Sequence, residues 1–209
     1  MRRRDETGAG PTTDREIRSE DWDGRDLSHQ VYERTAFVDV DMTDTTGAAA
    51  VFTECVFRNC HFNCAVHTNT AFTNCTFANC DFFDATLTGC KMMGSTYERC
   101  SFNLLKVIDG DWSFVGLVDA DLHRASFAGT RMREADLTRA RVQGGSLRDV
   151  DLSGAWLHGA DLSGCDLRGS DLSAIDPRNT EIKGAIINLE QTVVLARALG
   201  LDVRSPESG

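Results

Sequence analysis

Ala160-Asp161-Leu162-Ser163-Gly164 runs directly into Cys165-Asp166-Leu167-Arg168-Gly169 and then Ser170-Asp171-Leu172. Each block places a small residue, an aspartate and a leucine in the same order, and the leucine returns at every fifth position. Ala120-Asp121-Leu122 and Ala135-Asp136-Leu137 are further copies. From Trp22 to Ile187 the fifth residue stays apolar: Phe52, Phe57 and Phe62 early, Leu147, Leu152 and Leu157 late. Gly47, His67 and Pro177 interrupt the series. A helix has a period of about 3.6 and a flat strand a period of 2, so neither accounts for five. A fixed repeat decides the architecture before any local propensity does.

Call the apolar centre i. Position i−2 is small, as at Ala50, Cys60, Ala85, Ser95, Ala125 and Ala160; i−1 is often Asp; i+1 and i+2 are polar or Gly. One large and one small inward residue, with three outward ones, describes a narrow tube that turns a corner after each short side. Seven of the eight cysteines (Cys55, Cys60, Cys75, Cys80, Cys90, Cys100, Cys165) fall in the small inward slot. A thiol packs there as a small hydrophobe, and reduced core cysteine is the expectation. Cys64 alone falls outward.

With these residues the sequence resembles the pentapeptide-repeat family, whose signature is A(D/N)LXX. The resemblance spans about residues 20–187. It implies an all-β solenoid, a right-handed quadrilateral β-helix with four repeats per coil, ending in a short C-terminal α-helix. Coils would stack about 4.8 Å apart, so roughly 34 repeats make about 8.5 coils and a rod of roughly 40 Å. Four repeats per coil also stack Cys60, Cys80 and Cys100 directly.

Along the chain, residues 1–19 lack the period and are expected to form a disordered arm. Residues 20–187 are the β-helix. Within it Thr45-Thr46-Gly47-Ala48-Ala49 fills a repeat poorly and is expected to bulge. Residues 105–119 form a distorted coil, because Leu105 and Val115 enlarge the small slot and Gly110 empties it. Pro177 ends the clean coils. Asn188 with Gln191 three residues later has capping-box spacing, which predicts a helix at about 189–199, with Gly200 closing it. Residues 188–203 are expected to cap the open end or to join two rods, and 204–209 to be a loose tail.

The net charge is −10, which disfavours nonspecific contact with nucleic acid or an anionic membrane surface. No run of 18 apolar residues exists, and Met1-Arg2-Arg3-Arg4 is not followed by an apolar stretch, so neither a membrane span nor a signal peptide is expected. The expected location is cytoplasmic. There is no phosphate loop, nucleophile elbow or HExxH motif, so no catalytic residue, cofactor or enzyme is expected. Cys60-His61-x-x-Cys64-x-x-His67 has metal-like spacing, but the register sends Cys60 inward, His61 and Cys64 outward and His67 to a centre, so no metal site is expected.

Charge is uneven around the tube. The blocks 20–24, 40–44 and onward to 180–184 carry a net −7, while the other three faces carry 0, −2 and −1. Asp21, Asp41, Asp44, Asp81, Asp84, Asp121 and Asp161 form the expected partner-binding stripe. A ladder of carboxylates on a rod of duplex width imitates the phosphate lines of DNA. The absence of out-of-register loops further resembles the MfpA-like, Qnr-related branch of the family. The stretches that carry it are Trp22-Asp23-Gly24-Arg25-Asp26-Leu27, Phe52-Thr53-Glu54-Cys55 and the tail from Ile175-Asp176-Pro177 to Leu199-Gly200-Leu201. That branch implies a DNA mimic that binds DNA gyrase, a type II topoisomerase, and protects it from fluoroquinolones or related poisons. It also implies a homodimer through the C-terminal end, here Ile182, Ile186, Ile187, Val193, Val194, Leu195 and Leu199. The alternative is a non-catalytic structural scaffold or adaptor with no gyrase role.

Overall fold

A residue in this chain pairs with the residue twenty positions later, from Arg15↔Thr35 to Asp166↔Ile186. The computed structural model describes residues 11–204, and within them all pairings are parallel. Four repeats therefore complete one coil, and the chain is a parallel β-solenoid followed by one helix, Leu189–Ala198. Four faces result. The acidic face contains residues 20–24, 40–44 and so on; the second, third and fourth faces follow it in chain order.

The faces differ in regularity. The fourth carries a five-stranded sheet from Arg15–Arg18 to Thr96–Glu98, and the second a six-stranded sheet from Thr46–Ala48 to Ser146–Arg148. The third carries three strands, from Val31–Glu33 to Ala71–Thr73. On the acidic face the coils meet only through isolated bridges, such as Asp21↔Asp41 and Asp41↔His61. The reason is local. There the N–H of i+3 folds back to the carbonyl of i, as in Thr45 to Met42 and Ala65 to Phe62, so each side closes into a turn and not a strand.

The corner residue at i+2 takes a positive φ, for example 53° at Asn74 and 53° at Asp84. Non-Gly residues hold this left-handed conformation at most corners of the N-terminal half, where Asn and Asp tolerate it.

Centre residues point inward and stack coil on coil. Phe37, Phe57, Phe77 and Tyr97 form one column with ring centroids 4.8, 4.8 and 4.9 Å apart and planes within 7°. Phe52 and Phe72 stack at 4.7 Å in the adjacent column, and rings of neighbouring columns meet edge-on, as Phe57 and Phe62 do at 5.5 Å. Repeating one ring at one slot thus yields an offset-stacked pile with edge contacts between piles, both favoured aromatic geometries.

Two expectations from the sequence are corrected. The solenoid starts at Arg15, not at residue 20. Ile17 lies five residues before Trp22, is buried, and fills the first centre, while its strand pairs with Thr35–Val38. The predicted arm therefore loses its last residues to the first coil, and its residues 1–10 lie outside those described, as do 205–209. Nor does Thr45–Ala49 bulge. Thr46–Ala48 is a strand in register with Val66–Thr68, because the His67 ring fills the space that Gly47 leaves. The two interruptions of the apolar row complement each other.

Candidate functional site

An aspartate at i−1 stands where its carboxylate can accept the N–H of i+1 across its own corner. Asp21 accepts from Asp23 at 3.0 Å, Asp41 from Thr43 at 3.0 Å, Asp81 from Phe83 at 3.1 Å, Asp121 from His123 at 3.3 Å and Asp161 from Ser163 at 2.9 Å. Each is an Asx-type closure of the turn. Asp44 and Asp84 occupy the left-handed corner position instead. Five of the seven predicted stripe acids thus also build the wall.

All seven stack on the acidic face, but they are not equivalent. Asp84 pairs with Lys106 Nζ at 2.8 Å, and Asp121 pairs with Arg141 at 2.7 Å and with His123 Nδ1 at 2.7 Å. Asp161 accepts from Gln143 at 2.6 Å. Asp21, Asp41, Asp44 and Asp81 make no salt bridge among the described residues. The hydrogen bond from the Thr43 side chain, with that from its backbone, holds the Asp41 carboxyl below the usual range. At Asp121 burial opposes ionisation, but the His123 hydrogen bonds and the Arg141 charge outweigh it.

Charge density follows. Glu20, Asp21, Asp23, Asp41, Asp44, Asp81 and Asp84 occupy four rungs of the acidic face, roughly 19 Å at about 4.8 Å per rung. That is about one carboxylate per 3 Å, close to the ~3.4 Å per phosphate along one DNA strand. Toward the C-terminus, arginines take up the carboxylates: Asp111–Arg131 at 3.0 Å, Asp119–Arg139 at 2.6 Å, Asp151–Arg133 at 2.5 Å. The free negative charge is therefore concentrated in the N-terminal coils. The sequence sums by face did not separate paired from unpaired acids.

The predicted dimer residues divide into two sets. Ile182, Ile187 and Leu195 pack against the end of the core. Ile186, Val193, Val194 and Leu199 are exposed, alongside Leu189 and Leu201. The helix is pinned by Gln191, which is buried and donates to the carbonyls of Leu167 at 2.8 Å and Ser170 at 2.7 Å, while its Oε1 accepts the Asn188 N–H at 2.7 Å.

Of the metal-like group, Cys60 and His67 are buried, and His61 is exposed on the outer surface. No cluster of three or more metal-ligating side chains occurs among the described residues, and no helix there is long and apolar enough to cross a membrane.

Comparison with known proteins agrees with this geometry. Residues 117–154 and 146–180 match the pentapeptide-repeat family model, and residues 21–102 match the model of the SV2A/B/C luminal domain. No curated protein sequence matches the chain. Among solved structures, a trypsin-treated variant of QnrB1, a plasmid-mediated fluoroquinolone resistance protein, aligns with a TM-score of 0.53 at 19% identity. The alignment covers 90% of this chain and 97% of that one. HetL from the cyanobacterium Nostoc sp. Strain PCC 7120, a pentapeptide repeat protein involved in heterocyst differentiation regulation, gives 0.27 at 19% identity, covering 87% and 89%. With the five-residue wall, the twenty-residue register and the matched repeats of the C-terminal coils all in place, the chain has the pentapeptide-repeat β-helix fold, and residues 117–180 carry the family's repeats.

Proposed function

We propose that this rod binds DNA gyrase in place of DNA, through the acidic face of its N-terminal coils, and shields the enzyme from fluoroquinolones or related poisons. The observation that carries this reading is the run of acids from Glu20 to Asp84 on the acidic face, about one carboxylate per 3 Å, of which Asp21, Asp41, Asp44 and Asp81 make no salt bridge among the described residues. A basic channel that grips phosphate reads no bases, so a rigid carboxylate ladder satisfies it. The fold likeness to QnrB1 points the same way. The protein acts without catalysis, in the cytoplasm where gyrase works, as a homodimer. Two rods join end to end through Ile186, Val193, Val194 and Leu199, which places the acidic coils at the two tips.

The test is supercoiling by purified gyrase, with and without ciprofloxacin, with the protein titrated in. Asp21→Asn, Asp41→Asn, Asp44→Asn and Asp81→Asn are combined. Asn retains the turn-closing oxygen, so the wall survives while the charge goes. If each lost charge is worth about 0.5 kcal/mol, binding weakens about thirtyfold. Equal potency of the neutralised and native proteins refutes the stripe. A gyrase that ignores both leaves the scaffold reading, which the turn-building role of the same aspartates favours.

A further inference from the structure

Among the described residues the wall of the rod is interrupted at two places: near Pro177, where the bonds from Leu152 N–H to Asp171 and from Leu157 N–H to Asp176 are not made, and in mid-rod. Between residues 97–104 and the next coil, 117–124, four backbone bonds are missing among the described residues. They are Arg99 N–H to Val118, Phe102 N–H to Asp121, Leu104 N–H to His123, and Asp121 N–H to Cys100. One coil earlier all four equivalents are made: Asn79 to Glu98 at 2.9 Å, Phe82 to Ser101 at 2.9 Å, Asp84 to Asn103 at 3.0 Å and Ser101 to Cys80 at 2.9 Å. The bridges of the acidic face run as far as Asp81↔Ser101 and resume at Asp121↔Arg141. The corner ladder Asp39–Asn59–Asn79–Arg99 also ends here, and Asp119 turns to Arg139 above it.

The cause lies in the core. The layer between the two coils holds Trp112 and puts Leu105 and Val115 in slots made for Ala, Ser or Cys. Overpacking of this kind forces the backbone to shift. Rings part as well: Phe82 and Phe102 lie 5.7 Å apart, against 4.9 Å for Phe62 and Phe82. The result is a cleft of about 330 Å³ lined by Tyr97, Cys100, Phe102, Val118 and Ala120, among others.

Cys100 is the last of three thiols stacked in one slot. Cys60 and Cys80 are fully buried, while Cys100 is partly exposed. Cys80 lies one rung below, about 4.8 Å away along the ladder, within the Cα separation of about 4.4–6.8 Å that a disulfide spans. The Cys100 thiol donates to the carbonyls of Phe77 at 3.4 Å and Glu98 at 3.6 Å, and the neighbouring Cys80 thiol holds Cys100 below its ordinary value against the effect of burial. The neighbouring Cys100 and Cys60 thiols, together with burial, push Cys80 up.

We propose that Cys100 is a peroxide-reactive thiol reached through this cleft, with Cys80 beneath it as the resolving thiol. The Cys100 thiolate attacks one peroxide oxygen and the O–O bond breaks. The departing hydroxide takes up the proton released by the thiol and leaves as water, and Cys100 becomes a sulfenic acid. The Cys80 sulfur then attacks the Cys100 sulfur, its proton joins the leaving hydroxyl, and a second water departs as the disulfide forms. One hydrogen peroxide is reduced and two thiols are oxidised.

The experiment uses the full chain, native alkylation with iodoacetamide, and mass mapping after hydrogen peroxide. Cys100 is expected to alkylate at least about tenfold faster than Cys60 or Cys80, with the outward Cys64 as reference. Peroxide is expected to give a Cys80–Cys100 disulfide, and Cys80→Ser to leave a sulfenic acid at Cys100 that dimedone traps. Cys80→Ala stands in if the serine variant does not fold. Native alkylation of Cys100 no faster than Cys60, or peroxide products confined to Cys64, overturns the proposal. So does a Cys100 product that is the same with and without the Cys80 thiol.

Discussion

His67 makes the core acid-sensitive at one defined place. Its ring occupies a centre slot, is 1% exposed, and lies edge-on to Phe72 at 5.8 Å. Nε2 lies 3.4 Å from Thr45 Oγ1, and Nδ1 has no partner. Burial without a counter-charge lowers its pKa from 6.5 to about 4. The folded state therefore rejects a proton that the unfolded chain accepts. Stability is complete above the unfolded value, falls as pH drops from about 6.5, and levels off below about 4. The full difference is about 3 kcal/mol, from ~1.36 kcal/mol per unit. Between about pH 7.5 and pH 5 the loss is about 2 kcal/mol. The assay is urea unfolding of the native chain and of His67→Leu over that range. Subtracting the variant removes the contribution of the carboxylates, so the remaining pH dependence belongs to the imidazole. A difference between the two proteins that stays constant with pH would show that the ring keeps an ordinary pKa, and would refute the reasoning.

Two further outcomes follow from packing. Phe57→Ala removes a ring held between Phe37 and Phe77 at 4.8 Å on either side, and is expected to cost about 3–5 kcal/mol in chemical denaturation. Gln191→Ala leaves the helix with no side-chain bond to the Leu167 and Ser170 carbonyls, at a cost of about 2–3 kcal/mol. Because each coil contacts only its neighbours, hydrogen exchange should then show faster helix amides with little change near Phe57.

Much of this architecture could be read from spacing, because the side chain that fills the tube must return whenever the wall turns. That reading identified the inward rows, the small slots and the helix after Asn188. It missed Ile17, since one apolar residue amid Arg15, Glu16 and Arg18 looks like part of a charged arm until its partner Phe37 is known. It misjudged Gly47, whose missing side chain makes sense only beneath His67, twenty residues on. The distortion at Leu105 and Val115 was visible as oversized residues. Where the strain emerges was not, because that depends on which of four walls gives way. The aspartates were legible as a charged line, but their turn-closing bonds and their arginine partners are matters of geometry across coils, invisible in a linear count.

The twenty-residue register makes the molecule a screw whose pitch and phase can be edited separately. Excising one complete coil would shorten the rod and leave every later side chain on its original azimuth. Removing a single pentapeptide would keep large residues inside and polar ones outside, yet swing everything downstream through a quarter turn about the long axis. The carboxylate line would then break into two segments aimed in perpendicular directions, with no change in composition beyond five residues.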